Sequence, residues 1–137
     1  MKVLVDTSIW SLALRRGPSA DPVLTRELTE LIEEVRVQII GPIRQEILSG
    51  IRSKKQFEKL RRHLAEFPDL PLETADFEKA AEFFNVNRAK GIQGSNTDFL
   101  ICSVAHRRDM EIFTVDQDFE RFKEHIPIKL YVPRKVS

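Results

Sequence analysis

The period of the apolar positions changes several times along the chain, and each change marks an element. Residues 2–6 carry Val3, Leu4 and Val5 in an unbroken run that ends in Asp6, which predicts a short buried strand. Residues 7–15 predict a short helix before the turn Gly17-Pro18-Ser19. Asp21-Pro22 then sets a capping acid before a proline at the first helical position, and Leu24, Leu28, Leu31, Ile32 and Val35 follow at helical spacing. Residues 37–40 predict a second strand, closed by Gly41-Pro42. Ile43, Ile47 and Ile51 recur every four residues on the next helix, whose end Gly50 is expected to weaken or bend. Residues 53–67 continue helically with Phe57, Leu60 and Leu64 inward, and stop before Pro68. Thr74 is expected to cap a helix whose stripe is Phe77, Ala80, Ala81 and Phe84, with Gly91 as its stop. After the loop Gln93-Gly94-Ser95-Asn96, residues 97–108 are apolar almost all round and predict a central buried helix. Residues 111–114 read as a strand, 116–123 as a short helix and 128–132 as the last strand.

Strands separated by helices, with no repeat and no linker, predict one α/β domain over residues 1–137. Right-handed crossovers then give an α/β/α sandwich around a central parallel sheet. The 42% hydrophobic fraction supplies a core for that many residues without disulfides or a structural metal. A formal net charge of +1 excludes a protein that coats nucleic acid by bulk charge, so any such contact must be local. Cys102 is the single cysteine and has no partner for an intramolecular bridge. The apolar run after Met1 is too short for a signal peptide, and no stretch approaches the roughly 20 residues that span a bilayer. A soluble cytoplasmic protein without membrane contact is therefore expected.

In parallel sheets of this kind ligands bind beyond the carboxyl ends of the strands. Asp6 ends the first strand and Asp116 follows the third. Asp98 opens the buried helix, and Glu46 flanks the apolar face of the helix after the second strand. Each aspartate has an ordinary alternative role as a helix cap or as a partner of a helix dipole. Four such acids from four segments at one sheet edge are a stronger signal than any one of them. Gathered in a partly desolvated cleft, they repel and call for a cation, and a hard divalent ion such as Mg²⁺ or Mn²⁺ prefers oxygen donors. The pattern points to a metal-assisted phosphodiesterase.

Four stretches carry a resemblance to a known family. Val3-Leu4-Val5-Asp6-Thr7-Ser8-Ile9-Trp10, Gln45-Glu46-Ile47-Leu48-Ser49-Gly50, Gly94-Ser95-Asn96-Thr97-Asp98-Phe99-Leu100-Ile101 and Ile112-Phe113-Thr114-Val115-Asp116-Gln117-Asp118-Phe119 resemble the PIN-domain ribonucleases, and among them the VapC-like toxins of toxin–antitoxin pairs. The resemblance runs along essentially the whole chain in the right order. It implies a PIN-like α/β/α fold, Mg²⁺-dependent endonucleolytic cleavage of RNA, a homodimer, and neutralisation by a cognate antitoxin. Carried over by position, Asp6, Glu46, Asp98 and Asp116 are the catalytic acids, with Asp6, Asp98 and Asp116 as metal ligands and Thr114 and Asn96 as polar supports. Asp118 is expected to cap the helix that follows, leaving Asp116 for the cleft.

The mechanism this implies has the carboxylates holding one or two Mg²⁺ ions, with Mn²⁺ as a substitute, while hydroxide attacks in line and leaves a 5′ phosphate and a 3′ hydroxyl. Arg15, Arg16, Arg52, Lys54 and Lys55 are the expected RNA contacts. Arg61, Arg62, Arg107 and Arg108 read instead as solvated helix faces. His63, His106 and His125 have neither metal-ligand nor triad spacing, so a paired-histidine ribonuclease is disfavoured. Trp10 reads as a packing residue at a helix or dimer contact, and the Phe77 and Phe84 stripe as core or dimer surface. A phosphotransfer receiver needs a second acid where Val5 stands, and a haloacid-dehalogenase-like phosphatase needs one where Ser8 stands. The remaining rival is a PIN-like scaffold that binds RNA or protein without cutting, expected to have lost one or more of the acids that this chain keeps.

Overall fold

A computed structural model describes residues 1–14 and 21–134; the turn at 17–19 lies outside them. The described chain runs β1 (Val3–Val5), α1 (Thr7–Leu14), α2 (Pro22–Glu33), β2 (Val37–Gln38), α3 (Gly41–Leu48), α4 (Lys54–Leu64), α5 (Thr74–Ala89), α6 (Asn96–Arg107), β3 (Glu111–Phe113), α7 (Asp118–Lys123) and β4 (Lys129–Leu130). The strands form one parallel sheet in the order β2-β1-β3-β4. β1 pairs with β3 in the register Val3 to Glu111 and Val5 to Phe113. The strand order reverses at β1: the chain leaves it for β2, then crosses back past it to β3. Right-handed crossovers in opposite directions put α1–α2 and the α5–α6 pair on opposite faces, which makes the α/β/α sandwich, while α3 packs against α1.

The core follows the sequence at β1, whose three residues are fully buried, and at α6, where every residue from Phe99 to Ala105 is buried. α2 starts as its sequence predicts, with Asp21 Oδ1 accepting the amides of Val23 and Leu24 at 3.1 and 3.2 Å. Its apolar stripe stops earlier than expected: Ile32 is exposed at the edge, and Val35 lies past the helix at φ 55°, pointing into solvent. Gly41-Pro42 does not close β2 but opens α3, the proline sitting in the first turn where its missing N–H costs nothing. α3 ends at Leu48, so Ile51 is outside it, and Gly50 takes φ 83°, a left-handed conformation natural to glycine. α4 stops at Leu64, short of Phe67, and Leu64 is its one fully buried residue; Phe57 and Leu60 are half-buried.

α5 shows the largest difference from its sequence reading. Its buried face is Asp76, Ala80, Phe83 and Asn87, whereas Phe77 is 54% exposed, Ala81 is exposed and Phe84 is half-buried. The cause is an ion pair that apolar periodicity does not register. Arg107 and Arg108 at the end of α6 reach Asp76 Oδ1 at 2.6 and 2.7 Å, Arg108 also donates to Oδ2 at 2.9 Å, and the Glu73 amide adds a fourth bond at 2.7 Å. These arginines are therefore partners of a buried carboxylate and not a solvated face. Glu73, one residue before Thr74, takes the capping position. At the far edge Tyr131 donates its hydroxyl to Glu27 of α2, and Arg134 pairs with Glu27 and Glu34 at 2.9 and 2.7 Å. Burial and then the Glu27 carboxylate push the Tyr131 phenol up to about 12. No helix among the described residues is long and apolar enough to cross a membrane.

Candidate active site

The site is built outward from Asp6. It leaves the end of β1 at the centre of the sheet, its amide bonded to the Phe113 carbonyl at 2.9 Å, so its backbone is fixed by the β1–β3 ladder. Its carboxylate is 7% exposed, and Oδ2 accepts two hydroxyls, from Ser8 at 2.8 Å and from Thr114 at 2.8 Å. Each hydroxyl is oriented in turn by the loop after β3: the Val115 amide donates to Ser8 Oγ at 3.2 Å and the Asp116 amide to Thr114 Oγ1 at 3.0 Å. The network leaves both hydroxyl protons pointing at the carboxylate, an arrangement that holds Asp6 in one rotamer. Thr114 thus supports Asp6 directly. Ser8 does so equally and was not among the residues the sequence singled out, although an acid at a strand end with a hydroxyl two residues on was a readable signal.

Asp98 lies at the third position of α6, half-buried. Ser95 and Asp98 form a reciprocal cap: Asp98 Oδ2 accepts the Ser95 amide and Ser95 Oγ accepts the Asp98 amide, both at 3.0 Å. Burial raises the Asp98 carboxyl, the Ser95 bonds oppose the rise, and the Asp116 and Asp6 charges add to it. Asn96, the first residue of α6, is exposed, and no bond from it to the acids is seen among the described residues. Asp116, half-buried, gives Oδ1 to the Asp118 amide at 3.0 Å. Asp118 is therefore the first residue of α7 and not its cap, a position held by Gln117 without a side-chain bond. Glu46 is exposed on α3 and not tucked beside the apolar stripe. Its carboxyl is nevertheless raised, by partial desolvation first and then by Asp6 and Asp98.

The structure thus brings the four acids into one electrostatic neighbourhood: burial and then Asp6 and Asp98 raise Glu46, and burial and then Asp116 and Asp6 raise Asp98. Among the described residues, however, no three acidic, histidine or cysteine side chains already form a group that could grip a metal ion. Those two facts fit one kind of occupant. A hard cation such as Mg²⁺ takes oxygen donors, keeps several of its waters, and is held through one or two carboxylates and not in an all-protein cage. Cys102, buried on α6, has its thiol pushed up by burial and then by Asp98 and Asp6, so it is an inert core residue.

The remaining site candidates sit on neighbouring elements. Arg52, in the connection from α3 to α4, and Lys54 and Lys55, at the start of α4, are all exposed; Arg15 and Arg16 lie outside the described residues. Trp10 is buried, donating Nε1 to the Val5 carbonyl at 3.2 Å and meeting Phe67 edge-on at 5.2 Å, which makes it a packing residue. Between α1 and α4 runs a groove of about 480 Å³, walled by Ala13, Leu14, Ile51 and Leu60 and edged by Lys59 and His63.

A parallel sheet in this order, with acids over the carboxyl ends of β1 and β3, is the architecture of a PIN domain. The chain belongs to that family, which it matches over residues 3–125. It is similar to Ribonuclease VapC11 of Mycobacterium tuberculosis and to a VapC ribonuclease of Mycobacterium bovis, each 33% identical over 120 residues, covering 86% of this chain and 89% of the relative. Among solved structures, VapBC2 from Rickettsia felis bound to a DNA fragment superposes with a TM-score of 0.78 at 18% identity, covering 96% of this chain and 98% of that one. FitAcB from Neisseria gonorrhoeae gives 0.77 at 20% identity, with 96% and 97% covered. These two likenesses establish the fold.

Proposed function

We propose that this protein is a Mg²⁺-dependent endoribonuclease and the toxin of a toxin–antitoxin pair. The observation that carries the reading is the gathering of acids at the cleft: Glu46 and Asp98 are both raised by burial and then by neighbouring carboxylates, Asp6 and Asp98 for the one and Asp116 and Asp6 for the other. The names of the 33%-identical relatives supply the substrate class. Asp6, Asp98 and Asp116 are the residues that would hold a divalent cation. When bound, such an ion acidifies a water and offsets charge on the scissile phosphate.

The protein's own groups set the geometry. Ser8 and Thr114 fix Asp6, and the Ser95 cap fixes Asp98, so two of the acids are held by hydrogen bonds that leave Oδ1 of each for other work. Glu46, whose carboxyl is raised and which faces solvent, is the member suited to accept the proton of the attacking water at its carboxylate oxygens. Arg52, Lys54 and Lys55 supply positive charge for an RNA backbone, as do Arg15 and Arg16 from the sequence. An antitoxin fits the apolar groove between α1 and α4, from which a basic side chain sent toward the acids would replace the cation's charge. The expected assembly is a cytoplasmic homodimer. The deciding experiment is RNA cleavage with and without added Mg²⁺: cleavage that needs the ion and disappears in Asp98→Asn supports the reading, and ion-independent cleavage or none overturns it.

A further inference from the structure

Asp98 lies on α6 and Asp116 two residues before α7, and among the described residues no side-chain hydrogen bond or salt bridge joins α6 to α7. What joins them is aromatic. Phe99, the residue after Asp98, is 1% exposed and packs on Phe122 of α7 with ring centroids 4.7 Å apart; Phe122 in turn meets Phe119 at 5.3 Å, and the Phe119 amide donates to the Asp116 carbonyl at 3.3 Å. Phe119 and Phe122 are wholly buried. Onto this cluster the chain lays Gly94, at the close of the loop between α5 and α6. A Cβ there would stand 2.6 Å from Phe122 Cζ and 2.9 Å from Phe99 Cε2. Both rings are buried and pack on each other, so a shift in either disturbs the cluster. The next residue is Ser95, whose amide and hydroxyl hold Asp98.

We propose that Gly94, Phe99 and Phe122 form a steric lock that sets the placement of Asp98 relative to Asp116, with Gly94 as the positioning residue of the cation site. The bare Cα of Gly94 lets the backbone rest on the two rings, and that seat fixes the height of the Ser95 cap above the sheet edge. A methyl group at residue 94 lifts the loop, and the cap and the Asp98 carboxylate move with it while Asp116 keeps its place at the entry to α7. Because only the Asp98 side moves, the effect falls on cation binding more than on the fold as a whole. The inference rests on the metal-site reading given above and adds to it the residues that set the spacing.

The test is a Mn²⁺ titration of the purified protein, followed by the electron paramagnetic resonance of free Mn²⁺. Gly94→Ala is expected to bind Mn²⁺ about tenfold more weakly, the scale typical of disturbing the supports of metal ligands. Leu28→Val, a core change on α2 outside the lock, is expected to lower the melting temperature and leave Mn²⁺ affinity unchanged. The pair Gly94→Ala/Phe122→Leu, which removes the ring atom nearest the new methyl, is expected to bind more tightly than Gly94→Ala alone. Unchanged affinity in a folded Gly94→Ala, or a double variant no better than the single, overturns the lock. Should Gly94→Ala not fold, Phe122→Leu alone decides: weaker binding supports the lock and unchanged binding overturns it. Absence of Mn²⁺ binding by the wild type is a different outcome, since it overturns the metal-site reading and the lock together.

Discussion

The two ends of α6 treat carboxylates in opposite ways. At its C-terminal end Arg107 and Arg108 surround the fully buried Asp76, and the Arg108 hydrogen bonds first, with help from the Glu73 amide and Arg107, hold its carboxyl well below the usual carboxylate range despite burial. At its N-terminal end Asp98 is raised, by burial and then by the carboxylates of Asp116 and Asp6. One helix thus neutralises an anion of α5 at one end and carries a member of the acid cluster at the other. A carboxylate that serves the fold is given its counter-charge by the chain. At the other end the acids act on one another instead, and under the proposed function the balancing charge is a cation from outside.

The contrast is sharpened most by removing one charge at each end. Asp6→Asn or Asp98→Asn is expected to cut RNA cleavage by about three orders of magnitude or more, as loss of one member of a catalytic unit does. The same variants should melt no lower than the wild type in metal-free buffer, because repulsion is relieved; unchanged cleavage would remove these acids from the mechanism. Asp76→Asn is the opposite case, expected to cost about 3 kcal/mol of stability in chemical denaturation by leaving two arginines without their buried partner. Its response to Mg²⁺ should match that of the wild type.

Adding Mg²⁺ to about a hundred times its dissociation constant should stabilise the wild type by about 2.7 kcal/mol through mass action, read as an upward shift in the melt. Glu46→Gln should reduce that shift, and a melt indifferent to millimolar Mg²⁺ and Mn²⁺ would break the comparison. The smallest effect is in pH. Asp76 is depressed, so its contribution to stability is present above the unfolded carboxyl value and is lost as pH falls below it. Asp98 and Glu46 are raised, so their repulsion burdens the fold at neutral pH and is relieved as pH falls through their folded values. In metal-free buffer the stability gap between Asp98→Asn and the wild type should therefore narrow on mild acidification, before the Asp76 pair begins to fail.

The elements built from apolar runs and local caps were legible in the sequence: β1, the Asp21-Pro22 start of α2, the buried α6 and the acid positions at strand ends. What escaped depended on partners far along the chain. The face of α5 was misplaced because Asp76 reads as polar until Arg107 and Arg108, some thirty residues on, are known to meet it. Glu46 was placed beside the core because helical spacing allows it, yet α3 is short and its outer face is open. The bond that Asp116 accepts from the Asp118 amide turns on a single amide direction, which no residue type announces. Ser8 was passed over for a simpler reason, since a hydroxyl next to an acid looks like a cap until Thr114 is seen on its other side.

The bond from Thr114 to Asp6 closes a loop of 108 residues, and β3 cannot pair with β1 until synthesis has passed residue 113. A ribosome making this protein therefore carries Asp6 and Glu46 through most of synthesis with nothing to complete the cleft. Any product that terminates before residue 114 lacks both the clamp on Asp6 and the acid at residue 116. Long closures of this kind also fold late, since their entropy is lost before their contacts form. The topology thus acts as a timer on translation: the cleft cannot come into being before residue 116 is made, and copies cut short of it are born without it.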